Sequence, residues 1–147
     1  MPYITHDILH LAPDIDLTAD GQFSGICESG TTGATLAFGD LVYFDVSTST
    51  WKLCDASAEA TAFGLIGICV LAAASGAATK ILLYGKVRAD AVFPALTIGA
   101  PVFMSETAGD ITMTAPTTSA AIVRVIGYGH TADILLFNPD GTYLELA

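Results

Sequence analysis

Two histidines four residues apart, His6 and His10 in "THDILHLAP", would share one face of a helix and could hold a metal ion. The segment lacks the glutamate of the HExxH pattern and a third ligand at fixed spacing, so a solvated pair is the better reading. Asp14, Asp16 and Asp20 could turn carboxylate oxygens toward calcium, but the EF-hand spacing is absent. Asp14 and Asp16 alternate with Ile15 and Leu17, as on a solvated strand edge. His130, in the turn "GYGHTAD", reads as a surface histidine. No GxSxG elbow and no phosphate-binding GxxxxGK[ST] loop occurs. A Ser-His-Asp set could be drawn from any chain this rich in Ser and Asp, so it carries no information without geometry. The three cysteines, Cys27, Cys54 and Cys69, form no CxxC and read as free thiols, with Cys54 and Cys69 in apolar runs, which suits folding in a reducing compartment. The sequence therefore assigns no catalytic, cofactor or metal residue, and the expectation is a protein that is not an enzyme.

Composition points to contact surfaces instead. The chain has 147 residues, 52% hydrophobic and only 14% charged, against about 25% charged in an ordinary soluble domain. Such a chain either sits in a membrane or covers much of its surface with other subunits. Its net charge is −10, and no Lys or Arg precedes Lys52. Nucleic-acid binding leaves a basic footprint, so a nucleic-acid partner is not expected. The acidity reads first as solubility, and second as complementarity to a basic partner. Trp51, the single tryptophan, opens a strand in "STSTWKL" and suits core or interface packing. Lys86 and Arg88 alternate on one face of "YGKVRAD". They read as a solvated strand face or as salt-bridge partners for a neighbouring subunit. The N-terminus has no basic n-region and no long apolar stretch, so it is not read as a secretory signal.

The elements that must position these residues follow from one stretch. From Thr61 to Thr79 there is no charge, and a membrane helix needs about 20 apolar residues. An internal repeat argues against a helix. "LAFGDLVYFD" from Leu36 is answered by "LTIGAPVFMS" from Leu96, sixty positions on. In that frame Gly39 falls on Gly99, Val42 on Val102, Trp51 on Ile111 and Gly67 on Gly127. "KILLYG" is then answered by "DILLFN" after a shorter connection. The second copy of the uncharged stretch carries Arg124, His130 and Asp133 and reads as strand, turn, strand. The first copy is read the same way, and no membrane span is expected. The fold class is all-β, a compact barrel or sandwich of two half-repeats, about 36–88 and 96–138. Strands are expected near 40–45 and 100–104, 51–54 and 111–114, 64–71 and 123–129, and 80–88 and 134–137. A short helical turn fits 55–62. Residues 1–35 are expected as an N-terminal arm with a flexible joint at 28–35, ahead of a β domain at 36–147.

At this point the residues resemble a family. "GATLAFGDLVYFDVSTSTWKLCDASAEATAFGLIGICV…GKV", followed by "LTIGAPVFMSETAGDITMTAPTT…VIGYG…LLFNPD", resembles the capsid cement, or head decoration, proteins of tailed bacteriophages over residues 32–140. The resemblance implies a non-enzymatic virion protein, assembled in the host cytoplasm. It would bind the major capsid protein on the outer surface of the expanded head, often around three-fold axes, as a homo-oligomer with a trimer favoured. Ile4, Leu9 and Leu11 of the arm, with Trp51, Lys86 and Arg88, are the candidate capsid or subunit contacts. A tail, baseplate or fibre module that binds glycan or a host receptor is the alternative. An enzyme or carrier barrel would need a clustered His-Asp-Ser site, which no motif suggests.

Overall fold

In the computed structural model, residues 17–147 are described. Ile4, Leu9 and Leu11, with His6, His10, Asp14 and Asp16, lie outside the described residues. The fold is all-β. Its strands are β1 (Gln22–Thr31), β2 (Leu41–Asp45), β3 (Thr50–Leu53), β4 (Ile66–Cys69), β5 (Ala78–Arg88), β6 (Pro101–Met104), β7 (Ile111–Thr112), β8 (Ile122–Val123), β9 (Val125–Gly129), β10 (Ile134–Phe137) and β11 (Leu144–Glu145). The uncharged stretch is strand β4, a turn, and the start of β5. Among the described residues no helix is long and apolar enough to cross a membrane. The helical turn expected in 55–62 is a single 3-10 turn, Glu59–Thr61.

Among the described residues, nine strands form one antiparallel sheet in the order β3-β2-β4-β5-β10-β9-β6-β7, with β1 added on β5. The sheet curls into an open half-barrel, where the sequence led us to expect a compact barrel or sandwich. Loops draw its two ends together without a continuous ladder. Leu41 N donates to Gly109 O at 2.8 Å, Gly109 N to Cys54 O at 2.8 Å, and Ala56 N to Ser105 O at 2.9 Å.

Strand β5 is the spine. β1 pairs with it from Gln22↔Arg88 to Thr31↔Ala78. A strand has two hydrogen-bonding edges, so β4 and β10 divide the other: β4 takes Ile81 and Leu82, and β10 takes Gly85 to Arg88. Midway, Gly25 and Gly85 face each other, and a Cβ on either would lie 2.1 or 2.2 Å from the opposite strand's carbonyl oxygen. Only glycine allows that approach. Residues 28–31, expected in a flexible joint, are thus the end of a strand. The continuation is equally fixed: the Thr32 hydroxyl donates to Ala74 O at 2.6 Å, and Gly33 N to Trp51 O at 2.7 Å.

Alternation along the strands splits the core between two faces. One face buries Leu41, Ile66, Ile68, Leu82, Val102, Ile126 and Leu135. The other gathers Leu36, Val42, Trp51, Cys69 and Ile81. Hydrogen bonds recur sixty residues apart. Gly39 N donates to Cys69 O at 2.8 Å, and Gly99 N to Gly129 O at 2.7 Å. Cys69 N donates to Asp40 O at 2.8 Å, and Gly129 N to Ala100 O at 3.0 Å. The strand expected over 123–129 is interrupted at Arg124, whose side chain turns inward, and β11 was not foreseen.

Candidate functional site

The described sequence candidates do not form a contact patch. Trp51 is 1% exposed. Its ring lies over Gly30, where a Cβ would come within 2.6 Å of it, and meets Phe44 edge-on at 5.3 Å. It is a core residue, not a platform. Lys86 shares the Arg88 face of β5 but is also buried, its Nζ 3.4 Å from His130 Nε2. A lysine ammonium only donates, so in this pair the imidazole nitrogen accepts. Arg88 is half-buried and holds Asp90 of its own chain through Nε at 2.9 Å and Nη2 at 2.9 Å, with Asp133 at 3.8 Å. The turn after β5 brings Asp90 back onto the guanidinium. Asp20 accepts Asp90 N at 2.8 Å. Among the described residues no group of three His, Cys, Asp or Glu side chains is placed to hold a metal. Burial pushes the Cys54, Cys69 and Cys27 thiols up, which disfavours the nucleophilic thiolate.

The feature that stands out is an apolar cleft of about 240 Å³ between the end of β2 and the loop before β4. Tyr43, Phe44, Asp45 and Val46 form one wall, and Ala60, Phe63, Gly64 and Leu65 the other. Val46 is 81% exposed, and Phe63 and Leu65 are 50% each. Three large apolar side chains on one rim form a patch, and such patches mark contact surfaces more than scattered exposed residues do.

The loop is held from three sides. Phe44 N donates to Leu65 O at 2.9 Å, tying it to β2. In the 3-10 turn, Ala62 N and Phe63 N both donate to Glu59 O, at 3.0 and 3.1 Å. Behind it lies Arg124, 5% exposed. Its guanidinium donates to Ala62 O at 2.8 Å, Gly64 O at 3.0 Å and Asp140 O at 2.9 Å. Among the described residues no carboxylate faces that cation at bonding distance, and burial holds its pKa below the usual arginine value. Two carboxylates stand near the cleft, Asp45 in its lining and Glu59 beside the lining residue Ala60. Asp45 accepts from Ser47 N at 2.9 Å and Lys52 Nζ at 2.5 Å, bonds that hold its carboxyl well below the usual range. Glu59 accepts from the Tyr143 hydroxyl at 2.5 Å.

Among the described residues the cleft is lined mainly by apolar and aromatic side chains, which suits burial of an apolar group. A second hollow, of about 220 Å³, is lined by Asp90, Phe93, Pro94, Ala95, Ala132 and Asp133. Comparison with family models, curated proteins and solved structures found no match to this chain. Val46, Phe63, Leu65 and Arg124 escaped the sequence reading. Two signals were present: a glycine between two large apolar residues in "AFGLIG", and one cation inside the apolar run "AAIVRVIG".

Proposed function

We propose that this protein is a non-enzymatic virion structural protein that binds the outside of a phage head and stabilises its lattice. The observation that carries the reading is the cleft: a patch of half-exposed Phe63 and Leu65 beside Val46, held on a sheet by backbone and arginine hydrogen bonds. A preformed apolar contact surface loses little ordering entropy on binding. The sixty-residue recurrence of strand positions and hydrogen bonds supports a duplicated half as the origin of the sheet. A trimeric state, and the segment carrying Ile4, Leu9 and Leu11 as a second capsid contact, complete the proposal.

The mechanism is mass action. A protein that binds only the mature lattice adds its binding free energy to that lattice, about 4 kcal/mol per site at a thousandfold excess over Kd. Repeated over a shell, this resists internal pressure. The aromatic wall of the cleft, Tyr43, Phe44 and Phe63, favours a second reading, a tail or fibre module that binds glycan. Among the described residues the cleft offers few directional partners for sugar hydroxyls, since its carboxylate, Asp45, is engaged by Ser47 and Lys52. Immunogold labelling of virions with an antibody to this chain separates the two. Gold over the head is the expected result. Gold at the tail tip, with a glycan-array signal, would replace it with the second reading.

A further inference from the structure

We infer that the cleft between Val46 and the Phe63–Leu65 loop is a docking site for another protein, one that presents an extended apolar segment flanked by Lys or Arg. The inference deepens the reading above by assigning the surface and the chemistry of its partner, and it stands on charge and on an internal comparison.

The chain has 5 basic residues. Lys52 is paired with Asp45, Arg88 with Asp90, and Lys86 and Arg124 are buried. Among the described residues, Lys80 is the one Lys or Arg that is exposed outside those arrangements. Asp45, which lines the cleft, is paired with Lys52, and Glu59, beside the lining residue Ala60, has no cation paired with it among the described residues. A second copy would carry the same net charge of −10. Residues 1–16 contain no Lys or Arg either. Like charges brought together oppose association, and a basic partner is steered in.

Sixty positions beyond Phe63 and Leu65 stand Val123 and Val125, and both are half-buried. There the chain's own C-terminal strand β11 lies along β8, with Leu144 opposite Val123, Leu146 N donating to Ala121 O at 2.9 Å and Ala120 N to Leu146 O at 2.8 Å. In the first half the chain runs on from β5 into the second half, and among the described residues no strand lies along Ala62–Leu65. The corresponding surface is therefore left with Phe63 and Leu65 exposed, where the second half has an extended segment. Phe63 N already serves the 3-10 turn, and Ala62 O and Gly64 O are bound by Arg124. Recognition at the cleft thus rests on side-chain burial and charge more than on a new ladder.

The test is an NMR titration of the full chain with two peptides, acetyl-Lys-Val-Leu-Val-Lys-amide and acetyl-Glu-Val-Leu-Val-Glu-amide. The basic peptide should shift amides of residues 43–46 and 60–65 and bind at least about tenfold more tightly than the acidic one. Raising salt from about 50 to about 500 mM should weaken it. Phe63→Ser and Leu65→Ser, both at exposed positions, should each abolish the shifts, while Tyr84→Ser should not. Shifts elsewhere, equal binding of the acidic peptide, or no binding would overturn the inference. So would cleft shifts that grow with protein concentration alone, which would make a second copy the occupant. Gold over the head alongside any of these failures would leave the capsid reading standing and move its contact to another surface.

Discussion

Arg124 offers the sharpest test of how the cleft is held. Replacing it with Met keeps most of the buried stem and removes three donors. Of the carbonyls left behind, Ala62 O faces Arg124 across a buried contact, while Gly64 O and Asp140 O are partly open to water. An unsatisfied buried acceptor costs about 1–3 kcal/mol, and the two others less because water reaches them. Relief of the buried charge, whose pKa is held down by desolvation, works in the opposite direction. The net expectation is a loss of about 2–4 kcal/mol, a large share of a stability of order 5–15 kcal/mol. Urea unfolding followed by circular dichroism reads it as a lower midpoint with an unchanged slope. Hydrogen exchange at the amides of Ala62 and Phe63 should quicken more than in β5. Arg124→Lys should recover little, because one ammonium cannot reach three carbonyls in different directions. A variant within about 0.5 kcal/mol of the parent, a surface-like value, and with unchanged exchange in the loop would refute the clamp.

Gly30→Ala should cost about 1–3 kcal/mol by overpacking, since the new methyl meets the Trp51 ring; Trp51 is the only tryptophan, so its emission reports the displacement directly. Asp45→Asn should lower the denaturation midpoint at pH 7. The folded carboxyl pKa is depressed by Lys52 and Ser47, so its contribution is present above the unfolded value of about 3.9 and lost as pH falls below it; parent and variant midpoints should converge in acid, and a constant gap would contradict this. In a thiol-reagent assay on the native protein, half-exposed Cys27 should react before Cys54 and Cys69, which are 0% exposed and should react only as fast as the fold opens.

Strand positions were legible because alternating apolar residues and Gly or Asp turns mark them locally: β2 and β6, β3 and β7, and β5 and β10 fall where the pattern puts them. The strand β1 was not legible. "QFSGICESGT" has two glycines and no clean period of two, since it lies along a bulged spine that shifts register between Ile26 and Cys27. The choice between a sandwich, a barrel and an open curl was not legible either. It depends on β5 sharing one edge between β4 and β10, a matter of partner choice that no local pattern encodes. For the cleft, Phe63 and Leu65 give the same apolar signal in a loop as they would in a strand, and "GLIGIC" therefore read as one buried run. Trp51, Lys86 and Arg88 were singled out by residue type, but burial and intrachain pairing are long-range properties.

The β1–β5 ladder also decides how the domain would respond to force. The described chain enters at Leu17, whose carbonyl accepts from Arg88 Nη1 at 3.3 Å, and passes at once into the Gln22 end of β1. In an antiparallel pair the hydrogen bonds lie across the strands. Tension drawn along β1 from that end would load the rungs between Gln22 and Thr31 together, in shear. Tension drawn sideways would open them one after another from Gln22. The same tether would therefore be strong along one axis and weak along the other, so the angle at which a neighbour pulls on the N-terminal end would set the force at which the sheet gives way.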